Sequence, residues 1–535
     1  MSDPLAIVVL IATGGVLAFL LPFALHRSWL LWVARTREPP EAPTRWTGEL
    51  PRVTVQLPVY NERGVVERLI DAACSLDYPR EKLEIQLLDD STDDTSALAA
   101  RAVARWRREG VRIRHLRRGS REGYKAGALA HGLESADGEL ILVLDADFVP
   151  EPDLLHRLLP PFQDPGVGMV QGRWDHLNEE QSWLTRAQAL LLDGHFFFEQ
   201  GGRWTADRFF NFNGTAGMWR RRCLDDAGGW EADTLTEDLD LSYRAQMKGW
   251  RFVFLEDVGV PAEVPARAGA LEVQQKRWAQ GGIQTARKIL PRLLRGSWSP
   301  AVKLEAVIHL CGHLAHPLTL VLGLLLLPSA LARRSLGLEE FLVLDLVVFG
   351  MATVPFATFY AAAGRKRSRP WRRLIPDVIR TLAVGIGLSA PVSRAVLRGV
   401  AGARDPFLRT PKDGGSTILR YPGASGPGDA VFKLVLGAAF CGYVGVALLE
   451  GMYASIPFLL LFGSGYLSLA WCGLPEPLRL SGASGAMPHQ KAPALGGEPD
   501  QGRSPDEESE PGRLRPGTRL LEGPEAPVAE EYEAA

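Results

Sequence analysis

The chain has 535 residues, of which 46% are hydrophobic and 23% charged. That is too long for one compact core, too charged for a uniform membrane bundle and too apolar for a disordered chain, so membrane and soluble parts must alternate along it. The net charge of −2 hides an asymmetry: from Ser481 onward 11 acidic residues stand against five basic ones, a balance of −6 that leaves +4 for the rest.

Leu5–Leu25 is apolar and uncharged. A helix of about 20 such residues crosses a bilayer core. The stretch has neither a basic leader nor a convincing cleavage site, so segment 1–26 reads as a retained span. Arg27, Arg35 and Arg37 follow it, which places the chain from Arg27 onward in the cytoplasm. Residues 51–300 are hydrophilic and alternate short apolar runs with helical ones. Strands are expected at Val53–Leu57, Glu84–Leu88, Val111–His115 and Leu140–Leu144. Helices are expected after the Pro58–Arg63 turn, over Asp94–Arg107 and over Tyr124–Glu134. The alternation implies a parallel, doubly wound α/β sheet, whose ligands sit at the carboxyl ends of the strands.

Acidic residues fall at those ends. Asp145 and Asp147, with small Ala146 between them, are either a solvated strand-end pair or two hard oxygen ligands for Mg²⁺ or Mn²⁺ with a diphosphate. Asp89 and Asp90 are either a capped turn or acceptors for a nucleotide base. Thr236-Glu237-Asp238 opens a helix, with Thr236 a natural N-cap and the acids favoured by the dipole. One of those acids could equally serve as a general base. Gln274-Gln275-Lys276-Arg277-Trp278 reads as an amphipathic helix nearing the membrane. Alternatively, Arg277 neutralises a diphosphate and Trp278 stacks on a sugar. Lys125 is a surface lysine or a pyrophosphate contact.

Further apolar runs at Ala306–Leu331 and Phe341–Ala363 give two spans in 301–364, and Val431–Leu449 and Ile456–Leu474 give two more in 430–475. Between them, 365–429 begins with six basic residues from Arg365 to Arg373 and should be cytoplasmic. Its apolar part, Ile375–Val400, is expected to be interfacial or re-entrant, with a sixth span as the alternative. Arg333 and Arg334 then fall outside, against the charge rule. His309, His313 and His316 recur on one helix face, a pattern that more often lines a packed or hydrated interior than holds a metal. Residues 481–535 are expected to be disordered. The five scattered cysteines suggest neither disulfides nor zinc. No basic array with interleaved aromatics is present, so no nucleic-acid partner is expected.

The order of DDSTDD at Asp89–Asp94, LDADF at Leu144–Phe148, TED at Thr236–Asp238 and QQKRW at Gln274–Trp278 resembles the processive inverting transferases of glycosyltransferase family 2. REGYKAGAL at Arg121–Leu129, FNGTAGMWR at Phe212–Arg220 and DAGGW at Asp226–Trp230 look like the cellulose synthase-like A and C group, which includes β-mannan and glucomannan synthases. The likeness runs from about Val53 to Lys412. It implies a GT-A domain inserted between membrane helices, and a β-glycan polymerised from GDP-mannose or UDP-glucose. The implied partners are that donor, the growing β-glycan acceptor and membrane lipids. The alternative is transfer of one sugar to a lipid carrier. The resemblance implies that Asp89, Asp90 and the turn with Pro58, Tyr60 and Glu62 hold the nucleotide, and that Lys125 touches it. Asp145 and Asp147 would bind the metal, and Asp238, beside Glu237, would be the base. Gln274, Arg277 and Trp278, with Asn213 and Gly214, would bind diphosphate and acceptor. Phe407–Lys412 resembles the family's gating loop through Thr410 and Lys412, with Arg409 where an apolar residue is usual. The expected location is the plasma (inner) membrane, with the catalytic domain cytoplasmic.

Overall fold

Val53-Thr54-Val55-Gln56-Leu57 alternates apolar and polar residues, and the strand it forms is buried on both faces. In the computed structural model, which describes residues 3–338, 342–403, 405–410 and 427–473, this strand lies in the interior of a seven-stranded sheet. The strands are β1 (Val53–Val59), β2 (Leu83–Asp89), β3 (Ile113–Arg117), β4 (Leu140–Val143), β5 (Val167–His176), β6 (Gly217–Arg220) and β7 (Arg251–Ala262), in the order β3-β2-β1-β4-β6-β5-β7. Val53, Val55, Ile85, Leu87 and Leu142 form a core on one face; Leu88, Ile141, Val143, Met169 and Trp219 form one on the other. The polar positions pair across register. Thr54 donates to Glu84 at 2.9 Å and Gln56 to Gln86 at 3.1 Å, so polar side chains inside the sheet do not lose their hydrogen bonds.

β1 to β4 run parallel, as the alternation predicts. Beyond β4, where no strands are predicted, the sheet becomes mixed. β6 runs antiparallel to both β4 and β5, while β5 and β7 are parallel. The chain does not cross back through one helix between β5 and β6. It makes an excursion through helix Trp183–Gly194, a π-helical turn at His195–Gln200 and helix Gly201–Thr205 before returning. Leu190, Phe197 and Phe198 of this excursion pack against Leu30, Leu31 and Phe359 of the helices Pro4–Thr36 and Leu342–Lys366.

Among the described residues, five helices are long and apolar enough to cross a membrane: Pro4–Thr36, Gly312–Ser335, Trp371–Ala401, Gly428–Leu449 and Tyr453–Gly473. The first exposes Leu5, Val8, Ile11 and Phe19, and the protein is an integral membrane protein. Helix Trp371–Ala401 is continuous, and contacts to the soluble domain recur along it. Asp377 lies 3.5 Å from Arg186, Gly399 O accepts from Arg287 at 3.1 Å, and Ala403 O accepts from Gln284 at 2.9 Å. The re-entrant form of the expectation is therefore replaced by one unbroken helix of 31 residues. Its Gly387 meets Gly465 so closely that a Cβ on either would strike the other helix's backbone.

The basic link is also docked on the sheet domain. Arg367 and Arg369 pair with buried Asp193 at 3.0 and 2.9 Å, and Arg367 reaches Asp175 at 2.7 Å. At the other end of the helices, Arg334 pairs with Glu450 at 2.6 Å and Ser335 donates to Asp3 at 3.5 Å. Arg334, which the charge rule disfavoured there, thus has a carboxylate partner. The expected disordered segment 481–535, Phe341 and Lys412 lie outside the described residues.

Candidate active site

The carboxyl ends of the parallel strands open into a cavity of about 940 Å³. Its wall includes Pro58, Tyr60, Glu62, Asp90, Lys125, Asp145, Asp147, Asn213, Gly214, Glu237, Asp238, Gln274, Arg277, Trp278 and Thr410. Residues spread over more than 350 positions of sequence therefore share one space. The cavity continues among the membrane helices, where His309, His313, His316 and Thr319 line it. His309 shares a hydrogen bond of 2.9 Å with Tyr243, and His313 stacks on His316.

Asp89 is the exception. It is absent from the cavity wall and is 1% exposed. It accepts from the Ser91 amide and His115 at 2.8 Å each, and from the Ser96 hydroxyl. Burial alone would raise its pKa, but these donors bring it down to about 2. Strand alternation turns Asp89 into the protein and its neighbour Asp90 toward the cavity. Asp90 is held at both oxygens by Arg118, at 3.0 Å on one side. Arg118 also donates to the carbonyls of Glu122 and Tyr124 at 2.8 and 3.0 Å, so it braces the turn before Lys125. Arg121 lies over the Tyr60 ring at 3.5 Å. Arg118 does not stand out in the sequence, because it sits in the basic run Arg117-Arg118-Gly119-Ser120-Arg121, and Arg121 enters only as the first residue of REGYKAGAL.

Lys125 donates to Asp145 at 2.5 Å and to the Gly214 carbonyl at 2.8 Å. Burial would lower its pKa, but the charges of Asp145, Glu237 and Asp238 raise it, so it stays an ammonium. Gly214 has φ +81°, and a Cβ there would stand 2.9 Å from a carboxylate oxygen of Asp238. Only glycine lets the backbone pass so close to that acid. Burial and the neighbouring Glu237 push the Asp238 pKa up to about 7, against the pull of Lys125, the Leu239 amide and Arg277. The expected Thr236 cap is corrected. Its hydroxyl makes no bond to the helix and lies 3.2 Å from Thr285 instead.

Asn213 was expected to bind acceptor, but its amide is already engaged. It donates to His195 Nε2 at 2.8 Å and accepts from Gln200. His195 in turn donates from Nδ1 to Glu199 at 2.8 Å, and Glu199 pairs with Arg27 of the first helix. A π-helical turn therefore links the FNG loop to the membrane, a connection that no local sequence pattern signals. Among the described residues, the Thr410 hydroxyl and Arg277 Nε are buried in the wall with no hydrogen-bond partner. Such orphaned polar groups call for a ligand. Phe407 stacks on Tyr124, with ring centroids 5.8 Å apart, and lies under Arg277 at 4.4 Å. The one acidic cluster of three among the described residues, Glu231, Asp233 and Asp240, surrounds the Lys288 ammonium at 2.6 to 3.0 Å, which already supplies its countercharge.

Residues 51–281 match the family described as glycosyltransferase like family 2. The chain is 33% identical over 444 residues to "Probable glucomannan 4-beta-mannosyltransferase 9" of Oryza sativa subsp. japonica, covering 78% of this chain and 82% of that one. The chain belongs to glycosyltransferase family 2. Glucomannan 4-beta-mannosyltransferase 7 of Arabidopsis thaliana is 36% identical over 367 residues, 63% of each chain. The chain spans 63% or less of the length of six such relatives. In structure, the mannosyltransferase PcManGT of Pyrobaculum calidifontis, in complex with GDP-Man and Mn²⁺, is 25% identical, covers 69% of this chain and 99% of its own, and has a TM-score of 0.46. The family 2 match spans β1 to β7 and ends just after Trp278, so the acidic motifs lie inside it and Phe407–Thr410 outside it. The mixed sheet is thus the GT-A catalytic core of a family 2 chain.

Proposed function

We propose that the protein is an inverting glycosyltransferase that polymerises a β-linked glycan of the mannan or glucan type from a nucleotide sugar. The observation carrying this reading is one continuous cavity that joins Asp90, the Asp145–Asp147 pair, Asp238 and Trp278 to polar side chains among the membrane helices. A single-sugar transferase has no need of that continuation. The kinship with glucomannan 4-beta-mannosyltransferases favours GDP-mannose over UDP-glucose as donor.

In the proposed reaction the acceptor hydroxyl attacks the anomeric carbon from the face opposite the diphosphate. Asp238 takes the hydroxyl proton, the new C–O bond forms, and the bond to the diphosphate oxygen breaks. An α-linked donor gives a β-linkage. Asp238 suits this task because a base with a pKa near neutrality combines sufficient ionisation with basicity. Arg277 and Lys125 lie on the same wall and offset charge on the leaving diphosphate. Trp278, its ring 6.5 Å from that of Trp174, offers an aromatic platform for the acceptor sugar. Asp145 and Asp147 are hard oxygen donors one residue apart on the cavity wall, and they fit Mg²⁺ or Mn²⁺. Such an ion, when bound, would offset further diphosphate charge.

The ion pairs of Arg367 and Arg369 support a basic link on the catalytic domain's side of the membrane. Helix Trp371–Ala401 begins at that link, and the chain at its far end bonds to Arg287 and Gln284, which favours the same side for both its ends. This supports an interfacial helix, with crossings by Pro4–Thr36, Gly312–Ser335, Leu342–Lys366, Gly428–Leu449 and Tyr453–Gly473. The basic residues of the link favour a cytoplasmic catalytic domain in a plasma-type membrane.

The test is detergent-purified protein given labelled GDP-mannose or UDP-glucose, with Mg²⁺, Mn²⁺ or chelator. Long polymer from one donor, lost on chelation and in Asp147→Ala, is expected. Label found only in an organic-extractable lipid would replace the polymerase reading with single transfer.

A further inference from the structure

The mechanism leaves unused a shielded ion pair in the cavity wall that joins two distant segments. Arg409 donates to a Glu62 oxygen at 2.7 Å and also to the Asn61 carbonyl. The side chains of Arg409 and Glu62 are 13% and 10% exposed, and the partners are 347 positions apart in sequence. The pair joins the Pro58–Glu62 turn to the 405–410 segment. At its other end that segment is anchored by Asp405, which accepts from Arg398 Nε at 2.6 Å. Between the two anchors, Phe407 stacks on Tyr124 and lies under Arg277, and Thr410 turns its unpartnered hydroxyl into the cavity. The segment therefore spans the donor end of the cavity, tied at both sides, with Arg409 as the tie on the nucleotide side.

We propose that Arg409 is a positioning residue for donor binding: through its ion pair with Glu62 it clasps the 405–410 segment over the nucleotide turn and sets Phe407 and Thr410 against the diphosphate end of the site. The role rests on the donor-site reading given above. It assigns Glu62 to the clasp instead of to direct contact with the base. A shielded pair suits such a clasp, because removing one partner opens the contact, whereas an exposed pair would contribute little. Arg409 also fixes the Asn61 carbonyl, at a residue whose φ of +55° is uncommon for a side chain other than glycine. The clasp thereby steadies the turn itself.

The experiment measures dissociation constants for GDP and UDP with Mn²⁺ on the full chain in detergent, together with donor KM and kcat. Arg409→Glu and Glu62→Arg should each weaken binding of the preferred nucleotide about tenfold or more, roughly 1.4 kcal/mol. The reversed pair, R409E with E62R, should recover to within about threefold of the parent. Arg409→Lys should lose less than Arg409→Glu, and the losses should appear in donor KM more than in kcat. A double variant as weak as the worse single one would overturn the clasp, as would single variants that bind normally. If the singles fail to fold, Arg409→Gln decides, because it removes the cation at similar size, and unchanged binding and KM in that variant count against the clasp. Should neither nucleotide bind the unaltered protein, or should Asp147→Ala bind as tightly as it does, the donor-site reading falls first and takes the clasp with it.

Discussion

At the scale of single residues, the two neighbouring pairs of acids divide their labour by burial. Asp238 carries a pKa of about 7 because burial strips water from its carboxylate and the neighbouring Glu237 adds like charge. An unfolded chain would release this proton in the ordinary carboxylate range, so between there and about 7 only the native state holds it. Native stability from this group is lost as pH rises through that window, while the ionised base becomes available. Polymer formation should therefore rise with pH on a limb centred near 7, read as kcat/KM against pH, with Lys125, whose pKa is raised, remaining cationic throughout. Asp238→Asn should remove that limb and lower turnover by about a thousandfold while leaving GDP or UDP affinity within about threefold. Loss of affinity equal to loss of turnover would move Asp238 from the base role to binding. Asp89 behaves oppositely. Its pKa is depressed to about 2, so its stabilisation is present above the ordinary carboxylate range and disappears as pH falls toward 2. Asp89→Asn should cost about 1–3 kcal/mol, seen as a lower Tm, with nucleotide affinity unchanged. A large affinity loss at constant Tm would return Asp89 to the binding site.

At the scale of elements, what the sequence revealed follows from which forces are local. β1, β2 and β4 were legible because alternation and strand-end aspartates are short-range patterns, and the acids at their ends lie where a parallel sheet presents its ligands. β3 was displaced by two residues, starting at Ile113 instead of Val111, because Val111 is already bonded back to Trp106 at the end of the preceding helix. β5 to β7 were not legible as a mixed sheet, since strand direction depends on where the intervening chain goes, and here it goes to the membrane helices and returns. Arg118, Arg121, His195 and Arg409 were hidden for the same reason. Each acts through a partner set by tertiary packing: Asp90, Tyr60, Asn213 and Glu62.

At the scale of the whole molecule, the question is which side of the membrane each helix end occupies. Ion pairs answer it more directly than hydropathy does. Trp371–Ala401 is apolar enough to cross on composition, yet it is largely buried within the protein, whereas Pro4–Thr36 is largely exposed. Its burial and its contacts to Arg186, Arg287 and Gln284 are what the proposed interfacial placement rests on. Cysteines introduced singly, after replacement of the native ones by serine, would make this measurable. Ser120→Cys on the catalytic domain, Ser368→Cys at the basic link and Ala401→Cys at the far end of the helix should all react with an impermeant maleimide from one face of sealed vesicles. Ser335→Cys, beside Asp3, should react only from the opposite face. If Ala401→Cys labelled with Ser335→Cys, the helix would cross, every later helix would reverse, and Asp429 would sit across the bilayer from Lys276. Their 2.7 Å ion pair, and the buried pair of Lys433 with Glu272 one turn further on, could not then form. Membrane side and active-site architecture are thus tied together, because the helix that carries Arg277 and Trp278 is held by the same pairs that fix the direction of the last two crossings.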